Sequence, residues 1–157
     1  MLVGDMLRCT AARYPHKIGI VFEGRSYTWQ ETNSRVNALA NGLLRLGLRK
    51  QDRVAILGRN CPQYLEFYFA TAKAGLVAVP LDTWYKGREL SHLITDSAPR
   101  ALIIDQSYLD VARKLDVPGV EYYLGWGEKH PYPYDWERII AQNSPDEPQV
   151  SLDETDL

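Results

Sequence analysis

The chain has 157 residues, of which 45% are hydrophobic and 24% charged, a composition typical of one globular domain with a buried core. Eighteen basic and 20 acidic residues leave a formal net charge of -2, which gives no electrostatic indication of nucleic acid or an anionic membrane as a partner. Two distant cysteines exclude a disulfide framework, and no apolar stretch reaches the length of a membrane span. The N-terminus lacks a secretory signal pattern, so a cytoplasmic protein is expected.

The first 27 residues are predicted to form a short helix followed by a hairpin. Apolar residues recur at helical spacing between residues 3 and 14, and Pro15 ends that pattern. Residues 17–22 have the composition of a β-strand, the pair Glu23-Gly24 makes a turn, and residues 25–27 return. A small antiparallel hairpin near the N-terminus is therefore expected.

A capping box marks the start of the clearest helix. The Thr28 hydroxyl is placed to accept a hydrogen bond from the Glu31 amide, and the Glu31 carboxylate is placed to accept one from the Thr28 amide. Apolar residues three and four apart, from Val36 to Leu43, predict one helix face packed against a core. Gly47 is placed to end the helix.

From residue 53 onward, short apolar runs alternate with amphipathic segments. The runs are typical of strands that are buried on both faces, and their alternation with helices predicts an α/β fold with a mostly parallel sheet flanked by helices. Proline suits the first turn of the helix that begins near Pro62, Asn60 is its expected cap, and Gly75 ends it. The predicted strands are residues 53–57, 77–81, 101–105 and 120–124, and further helices are predicted near residues 90–97, 108–115 and 134–141.

The composition changes near residue 143. Residues 1–142 carry the predicted helices and strands and are expected to form the α/β domain. Residues 143–157 are acidic and polar and contain two prolines, so they are predicted to be a linker.

Motifs that carry chemistry are missing from this sequence. GxGxxG, GxxxxGK[ST] and GxSxG are absent, and His16, His92 and His130 have no metal-ligand spacing, so each histidine is expected to be solvent-facing or structural. The run Gly58-Arg59-Asn60 between a strand and a helix is a weak signal for an anion site, and an ordinary turn capped by Asn60 is the favoured interpretation. No catalytic, cofactor-binding or metal-binding residue is assigned.

Aromatic residues form two candidate groups. The first group lies on one predicted helix, where core packing is favoured over lining a ligand pocket; it consists of Tyr64, Phe67, Tyr68 and Phe69. Trp84 and Tyr85 form the second group, in a loop after a strand, where aromatic residues would indicate a ligand or partner surface. An ordinary loop remains the favoured interpretation of the second group.

Three segments, in the same order along the chain, resemble the adenylate-forming ligases. Residues 27–40, YTWQETNSRVNALA, resemble the first core motif of that family, with Thr32 where the family has leucine. Residues 52–56 resemble its Asp-Arg-Val strand, and residues 73–82, KAGLVAVPLD, resemble its second core motif. Ala78 is more similar to the acyl-CoA ligases than to the peptide-synthetase domains, which tend to have tyrosine there.

The resemblance implies the N-terminal subdomain portion of an acyl-CoA synthetase. Such enzymes convert a carboxylic acid, ATP and CoA into acyl-CoA, AMP and pyrophosphate through an acyl-adenylate. The implied cofactors of the full-length enzyme are ATP, Mg²⁺ and CoA, and a fatty acid is the expected substrate. The expected partners are the remainder of the ligase chain and, through an exposed sheet edge, a second copy in a homodimer, but neither nucleic acid nor an integral membrane segment.

The family's Ser/Thr/Gly-rich phosphate loop is not found in these 157 residues. Residues 153–157 resemble the acidic stretch that precedes that loop, so residues 143–157 are expected to lead to a missing phosphate-loop segment. The chain is then an N-terminal fragment that binds no cofactor and is inactive by itself. Two alternatives stay open, a stand-alone flavodoxin-like module that binds a small ligand and a non-catalytic interaction domain.

Overall fold

The computed structural model describes residues 2–156. Met1, the first residue of the predicted domain of residues 1–142, and Leu157, the last residue of the predicted linker of residues 143–157, lie outside the described residues. The helices are α1 (Val3–Arg13), α2 (Trp29–Arg45), α3 (Pro62–Ala74), α4 (Arg88–Ser97), α5 (Leu109–Ala112) and α6 (Trp136–Gln142). The strands are β1 (Ile18–Phe22), β2 (Arg25–Thr28), β3 (Arg53–Leu57), β4 (Val77–Pro80), β5 (Ala101–Asp105), β6 (Tyr122–Trp126) and β7 (Tyr134–Asp135).

The predicted fold class is confirmed. Strands β1 and β2 pair as an antiparallel hairpin, and the other five strands form a parallel sheet in the order β4-β3-β5-β6-β7. The chain leaves β3 toward one side of the sheet, through α3 to β4, and leaves β5 toward the other side, through α5 to β6. Within residues 2–156, no helix combines the length and the hydrophobicity that crossing a bilayer requires.

Two hydrophobic cores lie on opposite faces of the sheet. Alternate residues of β5 belong to different cores, because successive side chains of a strand point to opposite faces of the sheet. Ile103 packs with α1, α2, α3 and α6 on one face, whereas Leu102 and Ile104 pack with α4 and the region of α5 on the other. This double burial explains why the central strands are continuous apolar runs rather than alternating ones.

The predicted capping box is present at the start of α2. The Glu31 amide donates to the Thr28 hydroxyl at 3.2 Å, and the Thr28 amide donates to the Glu31 carboxylate at 2.8 Å. We expect Thr28→Ala to lower the free energy of unfolding by about 1 kcal/mol, because α2 then begins with an amide that lacks its side-chain acceptor. Urea unfolding measures the change, and Thr95→Ala is the control, because Thr95 lies on an exposed helix face and alanine favours helix there. Equal losses in both variants would contradict the prediction.

Several predicted boundaries differ from the structure, and hydrogen bonds account for three of the differences. The helix expected at residues 108–115 is a 3₁₀ turn followed by the short α5, and its last residues form only turn-like hydrogen bonds. Strand β6 begins at Tyr122 rather than Val120, because the Val120 amide bonds back to Val117 in a turn. The helix expected from residue 134 begins at Trp136, because the Asp135 side chain accepts from the Arg138 amide and caps it.

A partly buried ionic network joins α2, α3 and α6. The Arg35 guanidinium of α2 forms hydrogen bonds with Glu66 of α3, and it donates to both carboxylate oxygens of Glu137 at 2.9 and 2.8 Å. The Trp136 indole donates to Glu66 at 2.9 Å. Burial opposes the charge on Arg35, but the hydrogen bonds to Glu137 and Glu66 raise the pKa of its guanidinium above the ordinary value. Arg35, part of the first sequence motif, therefore holds three helices together.

A candidate ligand-facing cavity at the carboxyl ends of the strands

A cavity with a volume of about 650 Å³ lies at the carboxyl ends of β3, β5 and β6. The carboxyl ends of parallel strands lie at one edge of a sheet, and the connections after the neighbours β3 and β5 leave in opposite directions. Such a switch point is where open α/β sheets bind ligands. The hairpin β1-β2 forms one wall, and the lining residues are Phe22, Glu23, Arg25, Tyr27, Arg59, Asn60, Cys61, Pro62, Gln63, Asp105, Gln106, Trp126 and Gly127.

Asp105, the last residue of β5, is a buried carboxylate in this cavity. One of its oxygens accepts from the Ser107 amide at 2.9 Å, and the other lies 3.6 Å from Nε of the largely exposed Arg59. The run Gly58-Arg59-Asn60, which was a weak indication of an anion site, therefore contributes an arginine whose side chain already lies beside the carboxylate of Asp105.

Close packing shapes the loop after β3. A Cβ atom at Gly58 would collide with the Trp126 ring and would lie 3.1 Å from Cβ of Asp105, so only glycine lets this loop approach β6. The predicted Asn60 cap is wrong, because the residue that caps α3 is Cys61, which makes no side-chain cap hydrogen bond. The extended backbone of Cys61 moves the helix start one residue beyond the predicted cap, with Pro62 in the first turn as expected.

Cys61 and Gln106 are two of the residues that line this cavity. Burial raises the pKa of the Cys61 thiol, which keeps it protonated and weakly nucleophilic at neutral pH. The side-chain amide of Gln106 accepts from the Lys129 amide at 3.1 Å, which ties the loop after β5 to the loop after β6. Within residues 2–156, no group of three His, Cys, Asp or Glu side chains could hold a metal ion.

The three histidines lie outside this cavity. His16 and His92 are exposed. His130 is buried, and its Nε2 lies 2.9 Å from Oδ2 of Asp135, the residue that caps α6. The ring also packs against Gly125 of β6, where a Cβ atom would collide with it. His130 thus takes a structural position at the edge of the sheet.

The two aromatic groups are also separate from the cavity. Phe67 belongs to the hydrophobic core, with Tyr64 and Phe69 packed against that core and Tyr68 exposed. Burial raises the pKa of Tyr64 to about 12. Trp84 is 88% exposed beside the partly exposed Tyr85. An ordinary loop stays the favoured prediction for these two residues, with a ligand or partner surface as the alternative.

The profile of the AMP-binding enzyme family matches residues 7–156. The chain belongs to this family. The feruloyl-CoA synthase of Amycolatopsis sp is 45% identical over 101 residues, which are 64% of this chain and 21% of that protein. The fatty acid–[acyl-carrier-protein] ligase ScoC of Streptomyces coeruleorubidus is 32% identical over 118 residues, which are 75% of this chain and 23% of that protein.

Solved structures named as CoA ligases or synthetases have the same fold. The Mycobacterium tuberculosis fatty acyl CoA synthetase matches 99% of this chain with a TM-score of 0.88 and 26% sequence identity, and the match covers 31% of that protein. The chain thus spans about a fifth of the length of the two curated relatives and about a third of this solved structure. Neither alternative, the stand-alone binding module or the interaction domain, is supported by these matches.

Proposed function

We propose that this chain is the N-terminal part of an acid–thiol ligase that uses ATP to activate a carboxylic acid as an acyl-adenylate and then transfers the acyl group to CoA. The observation that carries the proposal is the 45% identity with a feruloyl-CoA synthase over 101 residues of this chain. Ala78, which precedes Val-Pro in the second motif, also favours an acyl-CoA ligase over a peptide-synthetase domain.

The proposed acid is a fatty acid. The relative ScoC is named for a fatty acid, and the solved structure that matches 99% of this chain is named a fatty acyl CoA synthetase. Feruloyl-CoA synthase favours a second candidate, an aromatic acid, because its identity to this chain is the higher. The proposed acceptor of the acyl group is the thiol of CoA. The thiol of an acyl-carrier protein is the alternative acceptor, because ScoC is named for that protein.

This chain is proposed to supply supporting structure and one ligand-facing wall. The cavity at the switch point has two arginines, Arg25 and Arg59, but it lacks a phosphate loop and a nucleophile–base pair among its described residues. ATP, Mg²⁺ and CoA would therefore be held by residues of the longer enzyme, in the cytoplasm. The edge of β4 is the proposed contact of a homodimer, since that strand pairs on one side only.

The test compares residues 1–157 with the longer protein that continues them. We expect the longer protein to form acyl-CoA from palmitate, ATP and CoA, with a higher kcat/KM for palmitate than for ferulate. Residues 1–157 alone should form none, although they should be folded by circular dichroism. Acyl-CoA formation by residues 1–157 would contradict the inactive fragment, and a preference for ferulate would replace the fatty acid with an aromatic one. Absence of adenylate formation with every acid tested would contradict the ligase proposal itself.

A further inference from the structure

Residues 144–152, which we call the strap, run along α2 and α3 without forming a helix or a strand. Side-chain amides of α2 hold the strap backbone. Asn37 donates to the carbonyl of Pro145 at 2.9 Å, and Asn41 donates to the carbonyls of Ser144 and Asp146, both at 2.9 Å. Because these bonds come from side chains rather than from a backbone ladder, the strap is a separate unit attached to the domain.

A buried lysine of α3 is the centre of the attachment. The Lys73 ammonium donates to both carboxylate oxygens of Glu147 at 2.7 and 2.8 Å, to Oδ1 of Asn33 at 2.8 Å and to Oδ1 of Asn37 at 2.7 Å. The Lys73 side chain is 4% exposed, whereas that of Glu147 is 37% exposed. A buried charge without a counter-ion is costly, so α3 requires the strap's carboxylate more than the strap requires α3.

A second contact lies further along the strap. Leu152 packs against Gly75, which ends α3 with a φ of +68°, and a Cβ atom at Gly75 would lie 2.7 Å from Cδ2 of Leu152. Lys50 also donates to the carbonyl of Ser151 at 3.0 Å. The contact of Lys73 with Glu147 and that of Gly75 with Leu152 therefore depend on two residues of the second core motif, to which the proposed ligase function assigns no role.

We propose that the strap is a detachable clasp, and that the ion pair between Lys73 and Glu147 is the latch that keeps it docked. This goes beyond the proposed ligase function, because it concerns the chain's own conformation. With the latch closed, the strap covers the groove between α1 and α3. With the latch open, Lys73 gains water and the strap leaves the groove, while the sheet and both hydrophobic cores stay folded.

The latch has a defined pH dependence. Burial alone would raise the pKa of Glu147, but the hydrogen bonds from Lys73 and Asn33 outweigh it and lower that pKa below the ordinary 4.5. Because the pKa of Glu147 is lower in the docked state, its ionised carboxylate stabilises docking at a pH above the ordinary pKa. That stabilisation is lost as the pH falls through the lowered pKa. Asp5 and Arg8 of α1 also face this groove, with opposite charges. Acid should therefore release the strap.

The test measures backbone mobility by ¹⁵N relaxation of residues 1–157 at pH 7. The amides of Glu147, Gln149 and Val150 should have order parameters near those of β3 and β5, about 0.85. In Glu147→Gln we expect the strap values to fall below about 0.6, with the values of β3 and β5 unchanged. Asp110→Asn is the matched control, because it removes a carboxylate that is 93% exposed and paired only with Arg113 at the surface.

Acidification of the unmodified chain provides a second readout that needs no variant. The strap amides should become mobile as the pH falls below 4.5, at a pH where β3 and β5 are still rigid. Strap amides that stay rigid in Glu147→Gln would overturn the latch. If the strap and the sheet lost their order together, in the variant or in acid, the proposal that the strap detaches by itself would be overturned, because the ion pair would then stabilise the whole fold.

Discussion

Replacing Arg35 with methionine should lower the free energy of unfolding by about 3–5 kcal/mol, the cost of leaving a buried carboxylate without its counter-ion. Glu66 is 3% exposed, and in this variant only the Trp136 indole would still donate to it. Methionine keeps most of the volume of the arginine side chain, so the loss reports the charge rather than a cavity. Urea unfolding followed by circular dichroism measures it, with the midpoint expected to fall and the slope to stay the same.

Arg113→Met is the matched control for this prediction. Arg113 pairs with Asp110 at 3.4 Å, and the two side chains are 65% and 93% exposed. Surface ion pairs contribute little, so the free energy of unfolding should change by less than about 0.5 kcal/mol. Equal effects of Arg35→Met and Arg113→Met on the free energy of unfolding would contradict the prediction, because the ion pair with the buried Glu66 would then contribute no more than a surface ion pair.

The second large effect is expected at the centre of the sheet. Ile103→Ala should lower the free energy of unfolding by about 2–5 kcal/mol, because it removes three buried carbon atoms and leaves a cavity that the surrounding helices only partly fill. Ile103 is fully buried in β5, which pairs with a strand on each side. The same unfolding experiment in urea provides the measurement.

Ile18→Ala controls for the chemistry of this substitution. It removes the same atoms from β1 of the hairpin, where Ile18 is exposed. Its effect should be within about 0.5 kcal/mol. A loss at Ile103 no larger than the loss at Ile18 would mean that the parallel sheet is not the core of the domain.

Both core motifs act structurally in the described residues. Asn33 and Asn37 of the first motif and Lys73 of the second meet at Glu147 of the strap. Arg35 holds Glu66 and Glu137. The sequence motifs by themselves indicated no partner for any of these four polar side chains.

Patterns within a few residues were enough to predict most of the helices and strands. The capping box at Thr28, Pro62 in a first helical turn and Gly75 at a helix end are all confirmed. Each depends on bonds or dihedral angles inside one turn of chain, which is why local sequence is sufficient. The Asn60 cap failed although asparagine is a favoured cap residue, because the residue that precedes the helix in the structure is Cys61, whose side chain forms no cap hydrogen bond.

The candidate site could not be predicted in the same way. Its buried carboxylate, Asp105, is 46 residues from its partner Arg59, and neither belongs to a recognisable motif. The local signal was Gly58-Arg59-Asn60, for which an ordinary turn was the favoured interpretation. Strand order had to be known first, because the order β4-β3-β5 is what creates a switch point between these two residues.

The amino-acid sequence by itself determined the parallel α/β class, the N-terminal hairpin, the capping box at Thr28 and the family. Hydrophobic periodicity, caps and motifs are properties of neighbouring residues, so they can be read without the fold. Only the tertiary structure decided that Arg35 lies between Glu66 and Glu137, that Lys73 lies on Glu147 and that the loops after β3, β5 and β6 share one cavity. Those contacts join side chains 31 to 102 residues apart, and which of many possible charged and polar pairs form depends on how the helices pack.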